Sequence, residues 1–158
     1  MNKRQNFIIL VSMKDKIEKV LNAYDFDFDD ADGEYSFSVD FDTGMGVMKL
    51  IPSSDGIRFE LRLDASLDIL SPDYRMRVIN AFNSALDKGR FTLSEVMFNP
   101  IYTCEIGEDK ADEMSIAKMI DHMCDMCGMF LKLFQMILCG SSLDAALDAV
   151  GMPAKGNA

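Results

Sequence analysis

The side chains with the most reactive chemistry in this sequence gather between residues 122 and 127. His122, the one histidine, stands just before Cys124 and Cys127, which form a Cys-x-x-Cys pair. A structural zinc site needs four converging ligands. The remaining cysteines, Cys104 and Cys139, are isolated in the sequence. The surrounding residues have helical spacing, and at about 100° per residue His122 points away from both thiols. A thioredoxin-like pair would open a helix after a strand, whereas this one lies inside a long helical pattern. The arrangement predicts small apolar packing residues, not a metal or redox centre. A single histidine on an apolar-rich helix likewise reads as a partly buried packing residue and not as a general base.

Other chemistries fail on register or on missing partners. The acidic run from Asp25 to Asp32 invites a calcium loop. Aligning Gly33 with the glycine of an EF-hand puts Phe28 and Val39 where the first and last carboxylate ligands belong. Strand alternation explains Asp25, Asp27 and Asp29 better. No nucleophile elbow, phosphate-binding loop or dinucleotide fingerprint occurs. Carboxylates are so numerous that no pair is singled out for acid–base work. The expectation is a protein that is not an enzyme and uses no cofactor or metal.

The bulk numbers narrow the partners. The chain has 158 residues, 49% of them hydrophobic, and a formal net charge of −10. That length and apolar content fit one packed domain, expected over residues 1–152, with a loose tail at 153–158. So acidic a surface repels phosphate backbones and anionic lipid, so neither nucleic acid nor a membrane is expected as partner. Three of the four cysteines lie in one apolar helical stretch, as in a reducing compartment. The apolar run Phe7 to Val11 follows basic Lys3 and Arg4 but is shorter than a signal-peptide core. No apolar run is long enough to cross a bilayer, so a cytoplasmic location is expected.

The elements follow from periodicity. Ser12 and Asp15 have capping-box spacing ahead of Ile17, Val20, Leu21 and Tyr24, which predicts a first helix near 12–24. Phe7 to Val11 either extend it or form a short separate element. Apolar residues then alternate with polar ones through Phe26, Phe28, Tyr35, Phe37, Val39 and Phe41. Turns are expected at Asp32-Gly33, Thr43-Gly44 and Ser54-Asp55-Gly56, with a short strand around Gly46 to Ile51. The clearest strand is Ile57 to Asp64, where Ile57, Phe59, Leu61 and Leu63 share one face. Ser71-Pro72-Asp73 opens a second helix with the stripe Val78, Phe82, Ala85 and Leu86, ended by Gly89. Strands at Arg90 to Phe98 and Ile101 to Gly107 hinge at Asn99-Pro100. A long helix over about 115–139 and a short one capped by Ser142 close the chain. The class is α+β, an antiparallel sheet packed against helices.

The long helix carries the candidate site. Ile116, Met119, Ile120, Met123, Cys127, Phe130, Leu131, Phe134, Ile137 and Leu138 form one core stripe. Beside it runs a second apolar set, Met126, Met129, Leu133 and Met136, with His122 next to them. One sheet covers one side of a helix, so this flank needs another cover. Either the 142–150 helix folds back with Leu143, Leu147 and Val150, or the flank is a surface for a second copy or a protein partner. Methionine suits a surface that accepts varied partners. A pocket between sheet and long helix, sensing a small ligand, is the alternative.

The order helix, strands, helix, two strands, long helix resembles the YbjN family, which is similar in fold to type III secretion chaperones. The features that carry the resemblance are Asp32-Gly33, Asp55-Gly56, the strand Ile57 to Leu63, and Val78-Ile79-Asn80-Ala81-Phe82-Asn83 followed by Arg90-Phe91. In that family a helix with an asparagine near its middle leads into a strand opening with Arg-Phe, and Asn83 and Arg90-Phe91 stand in those places. The resemblance covers roughly residues 12–139; after Leu138 this chain adds a helix. It implies a small, acidic, cytoplasmic homodimer that is not an enzyme, chaperone-like or a bacterial regulator, and binds protein clients. It also implies structural roles for Asn83 and Arg90. Asn83 would brace its helix against the following strand; two solvated side chains are the other reading.

Overall fold

The period-two alternation that follows the first helix folds as a continuous antiparallel meander. The computed structural model describes residues 2–152. In it β1 (Phe28–Ala31), β2 (Glu34–Phe41), β3 (Gly44–Ser53) and β4 (Gly56–Leu63) pair in chain order. At the first turn Asp32 and Gly33 have φ of 55° and 77°. Positive φ at both central positions gives a turn whose twist matches the flanking strands, and Asp-Gly tolerates it. β3 is longer than the Gly46–Ile51 strand expected, because Gly44 and Ser53 still pair with Phe41 and Gly56.

The chain leaves β4, forms α2 (Pro72–Ala85), and returns through β5 (Arg90–Leu93) to β6 (Pro100–Gly107). The six strands lie in the order β1-β2-β3-β4-β6-β5, with every neighbour antiparallel. Tyr35, Phe37, Met48, Leu50, Phe59, Leu61, Tyr102 and Cys104 are buried on one face. α1 (Lys3–Ala23), α2 and α3 (Glu113–Leu138) pack on that side, and α4 (Leu143–Ala149) packs on α3. The opposite face carries Ser38, Lys49, Arg58 and Arg62 into solvent. This is the α+β class expected, with helices confined to one side of an antiparallel sheet.

Local chemistry explains where the elements depart from expectation. α1 starts at Lys3, not near Ser12. Asn2 caps it by accepting from the Gln5 N–H at 2.9 Å, and Gln5 Oε1 accepts from the Asn2 N–H at 3.4 Å. Two capping boxes compete in the sequence; Phe7 to Val11 continue the helix, so the upstream one is used. α2 opens as expected, with Ser71 Oγ accepting from the Tyr74 N–H. It ends at Ala85, and Leu86, expected inside it, has extended backbone. Gly89 serves the next strand instead. Its φ is 70°, and a Cβ there would lie 2.6 Å from the Thr103 carbonyl oxygen.

β5 stops at Leu93, five residues short of the expected Phe98. The chain turns back because the Ser94 N–H donates to the Asn99 carbonyl at 3.0 Å and the Asn99 N–H to Ser94 Oγ at 2.9 Å. Asn99 is buried, and its Nδ2 donates to the carbonyls of Leu63 and Ala65. α3 begins at Glu113, with Asp112 Oδ1 accepting from the Ser115 N–H at 2.7 Å. That bond holds the Asp112 carboxyl below its usual pKa. Ser142 caps α4 as expected. The expected loose tail at 153–158 lies outside the described residues.

Asn83 fulfils the bracing role. Its Nδ2 donates to the Phe91 carbonyl at 2.9 Å, and its Oδ1 accepts from the Phe91 N–H at 2.7 Å. Phe91 lies in an edge strand, and the amide does for it what a further strand would do. Arg90 is exposed. Asn83→Ala is expected to lower stability by about 2–3 kcal/mol, since both Phe91 groups lose their partners. Chemical denaturation reads the loss; in hydrogen exchange the Phe91 amide should lose more protection than its neighbours in β6.

Candidate protein-interaction surface

The flank of α3 rests on an aromatic cluster beneath the helix. The Phe130 ring lies 4.9 Å from Phe91 and 5.2 Å from Phe82, and Phe91 lies 4.6 Å from Tyr102. Phe82 comes from α2, Phe91 from β5 and Tyr102 from β6, so three elements fix the rotation of α3 about its axis. That rotation decides which side chains the flank presents.

The structure separates the four flank residues. Leu133 is fully buried at 0% exposure, while Met126, Met129 and Met136 are half-buried and pack against the core with part of each side chain accessible. α4 lies against α3 and buries its own Leu143, Ala146 and Leu147, with Val150 following. The 142–150 helix therefore folds back on α3, and Met126, Met129 and Met136 keep part of their surface accessible.

His122 is anchored to the core and half-buried. Its Nε2 lies 2.9 Å from Tyr102 Oη, and Tyr102 Oη lies 2.7 Å from the Lys88 carbonyl oxygen. A carbonyl only accepts, so the single hydroxyl proton goes to Lys88, and His122 must donate from Nε2. Burial, then the charge of Lys88, lowers the histidine pKa, with Asp125 and Asp87 opposing. The neutral ring is thereby favoured in a fixed tautomer. Sequence spacing gave no hint of the Tyr102 partner.

The four thiols are free. Burial, then Asp121 and Asp125, pushes Cys124 up to about 11, and burial raises Cys127 well above its ordinary value. Both therefore stay protonated at neutral pH, which suits packing rather than nucleophilic attack. Among the described residues no group of three or more His, Cys, Asp or Glu side chains is placed to share a metal ion. No described helix is long and apolar enough to cross a membrane.

Adjoining the flank, with Met129 common to both, an open groove of about 560 Å³ separates α3 from the β2–β3 turn. Val39, Phe41 and Thr43 line one wall, Cys124, Gly128 and Met129 the other, with Asp40, Asp42, Asp125 and Lys132 at the rim. This groove occupies the place where a pocket between sheet and long helix was the alternative expectation.

Apolar surface also lies where sequence reasoning assigned no function. Phe7, Ile8 and Val11 of α1 are 66%, 58% and 42% exposed. Ile69, at the end of a short 3-10 helix (Leu67–Ile69), and Val96 and Met97, in the loop after β5, are exposed, and the Ser66 hydroxyl ties the two segments together by donating to the Met97 carbonyl. The five-residue apolar run in α1 was a visible signal. Val96 and Met97 were not, because they read as part of a strand running to Phe98.

No protein-family model matches the chain, and no curated protein sequence does. Among solved structures the chain is similar to YbjN from E. coli, proposed to be a transcription regulator. The TM-score is 0.59 over 74% of this chain and 87% of that one, at 12% sequence identity. At that identity the likeness establishes a shared fold, an antiparallel sheet with helices packed on it.

Proposed function

We propose that this protein is a YbjN-like binding module, chaperone-like or regulatory, that works without catalysis by offering apolar surface to a protein partner or a second copy of itself. The observation that carries this reading is the α3 flank, where Met126, Met129 and Met136 remain half-buried although α4 has already docked. Methionine side chains are flexible and polarizable, so such a strip adapts to differently shaped clients. The acidic surface favours partners with basic patches and discourages nucleic acid. Four free thiols fit a cytoplasmic setting.

Met126→Asp combined with Met129→Asp tests the flank. Both side chains reach solvent, so the double variant should stay folded, within about 1–2 kcal/mol of the unmodified protein. Affinity capture from the native host should then lose, at least tenfold, the client set that the unmodified protein retains. An unchanged client set and unchanged mass by light scattering would remove the flank from the function. The groove beside the β2–β3 turn supports a second reading, a regulator that senses a small ligand. Under that reading capture returns background proteins only, while one metabolite at a hundredfold excess over its Kd stabilises the fold by about 2.7 kcal/mol.

A further inference from the structure

The outward side of α1 carries a pattern that nothing else in the molecule uses. Arg4, Phe7, Ile8, Val11 and Asp15 recur three or four residues apart, and all five are exposed. The side facing the body holds Met13, Ile17, Val20 and Leu21, which are buried. In the first half of α1 the remaining apolar residues, Ile9 and Leu10, are half-buried, so the helix there is apolar around most of its girth and covered on only part of it. A helix apolar all round is normally buried all round.

The two charges at the ends of the stripe say what covers it. Among the described residues neither Arg4 nor Asp15 takes part in an ion pair. When a second α1 is laid antiparallel on this face, Arg4 falls opposite Asp15 of the copy, and Ile8 opposite its Val11. Two-fold symmetry repeats both contacts. Parallel alignment would put Arg4 against Arg4 and Asp15 against Asp15. The stripe is therefore complementary to itself in one direction only, over about 17 Å at ~1.5 Å rise per residue. α1 also carries five basic and two acidic side chains in a chain of net charge −10. Two acidic bodies repel least when they meet through such an element.

We propose that the protein self-associates through an antiparallel pair of α1 helices, with Phe7, Ile8 and Val11 at the centre and Arg4–Asp15 pairs at both ends. This rests on the reading above of a self-associating binding module, and it leaves the methionine flank of α3 free for clients.

Charge reversal tests it without touching the core. Arg4→Glu and Asp15→Arg, each alone, set like charges against each other twice per dimer, and each should weaken dimerisation on the order of tenfold. Together they restore opposite charges and should recover the unmodified dissociation constant to within about threefold. Sedimentation equilibrium over a concentration series reads the constants, and circular dichroism verifies that all three variants keep the fold. Ile8→Asp should give a folded monomer. A dimer insensitive to either reversal, or a double variant no tighter than the singles, would overturn the α1 pairing and leave dimerisation itself standing. An unmodified protein that is monomeric throughout would overturn both the pairing and the homodimer reading. If that monomer also co-sediments with phosphatidylglycerol–phosphatidylcholine vesicles, and Phe7→Asp abolishes this, the face belongs to a lipid surface.

Discussion

Leu133→Asp is expected to destabilise the protein by about 3–7 kcal/mol, although Met129→Asp, one helical turn away on the same flank, should cost no more than about 1–2 kcal/mol. The difference comes from burial. Leu133 is fully enclosed, whereas Met129 faces the groove and reaches solvent. Replacing Leu133 removes a packed side chain and puts a carboxyl into an enclosed apolar site. The first effect costs about 2–4 kcal/mol and the second about 1–3. Total stability of such a domain is about 5–15 kcal/mol, so the variant should be near its unfolding threshold. Its deficit should also depend on pH. Burial raises the introduced carboxyl above its unfolded pKa of about 3.9, so the native state holds that proton over a range where the unfolded state has released it. Stability then falls as pH rises above about 4 and partly recovers below it. Urea unfolding of the two variants at acidic and neutral pH checks both the size and the sign.

Phe130→Ala should cost about 3–5 kcal/mol. Phe130 is buried and stacks on Phe91 at 4.9 Å while meeting Phe82 edge-on at 5.2 Å. Truncation leaves a void between α3, α2 and β5 and removes two aromatic pairs worth about 0.5–1.5 kcal/mol each, part of that total. For a chain of this size each kcal/mol lowers Tm by roughly 2–4 °C, so a fall of about 6–20 °C is expected. The denaturant midpoint should shift with little change in slope, because the surface exposed on unfolding stays nearly the same. The effect should be non-additive with Phe82→Ala, since the two rings share one contact.

These residues also show how much the sequence disclosed. Asp32-Gly33 was legible because a two-residue turn with two positive φ angles admits few residue types. Asn83 was legible only through the family resemblance, with a solvated side chain as the other reading, and the half-buried amide takes both backbone groups of Phe91. The start of α1 was not, because Asn2–Gln5 and Ser12–Asp15 both spell a capping box and only the packed helix chooses between them. The end of β5 was hidden for a similar reason. Val96, Met97 and Phe98 read as strand, but the Ser94–Asn99 bonds close a turn first. On α3 a helical wheel groups Leu133 with Met126, Met129 and Met136. It cannot separate a residue sealed inside the chain from three that reach solvent, because a wheel gives the direction of each side chain and not what packs against it.

The borders of the sheet bear on how this protein avoids unwanted growth. Its outermost strands, β1 and β5, are four residues each. Asp29 and Asp30 lie in β1, with Asp27 before it and Asp32 after it, and the Asn83 amide occupies backbone groups of β5. An extended peptide seeking to add a strand would meet a run of negative charge on one side and an already satisfied Phe91 on the other. Copies of the chain therefore cannot readily polymerise edge to edge into fibrils. In the proposed binding role, recognition falls to side chains on helices, where a single substitution can tune one contact without offering the backbone as a template.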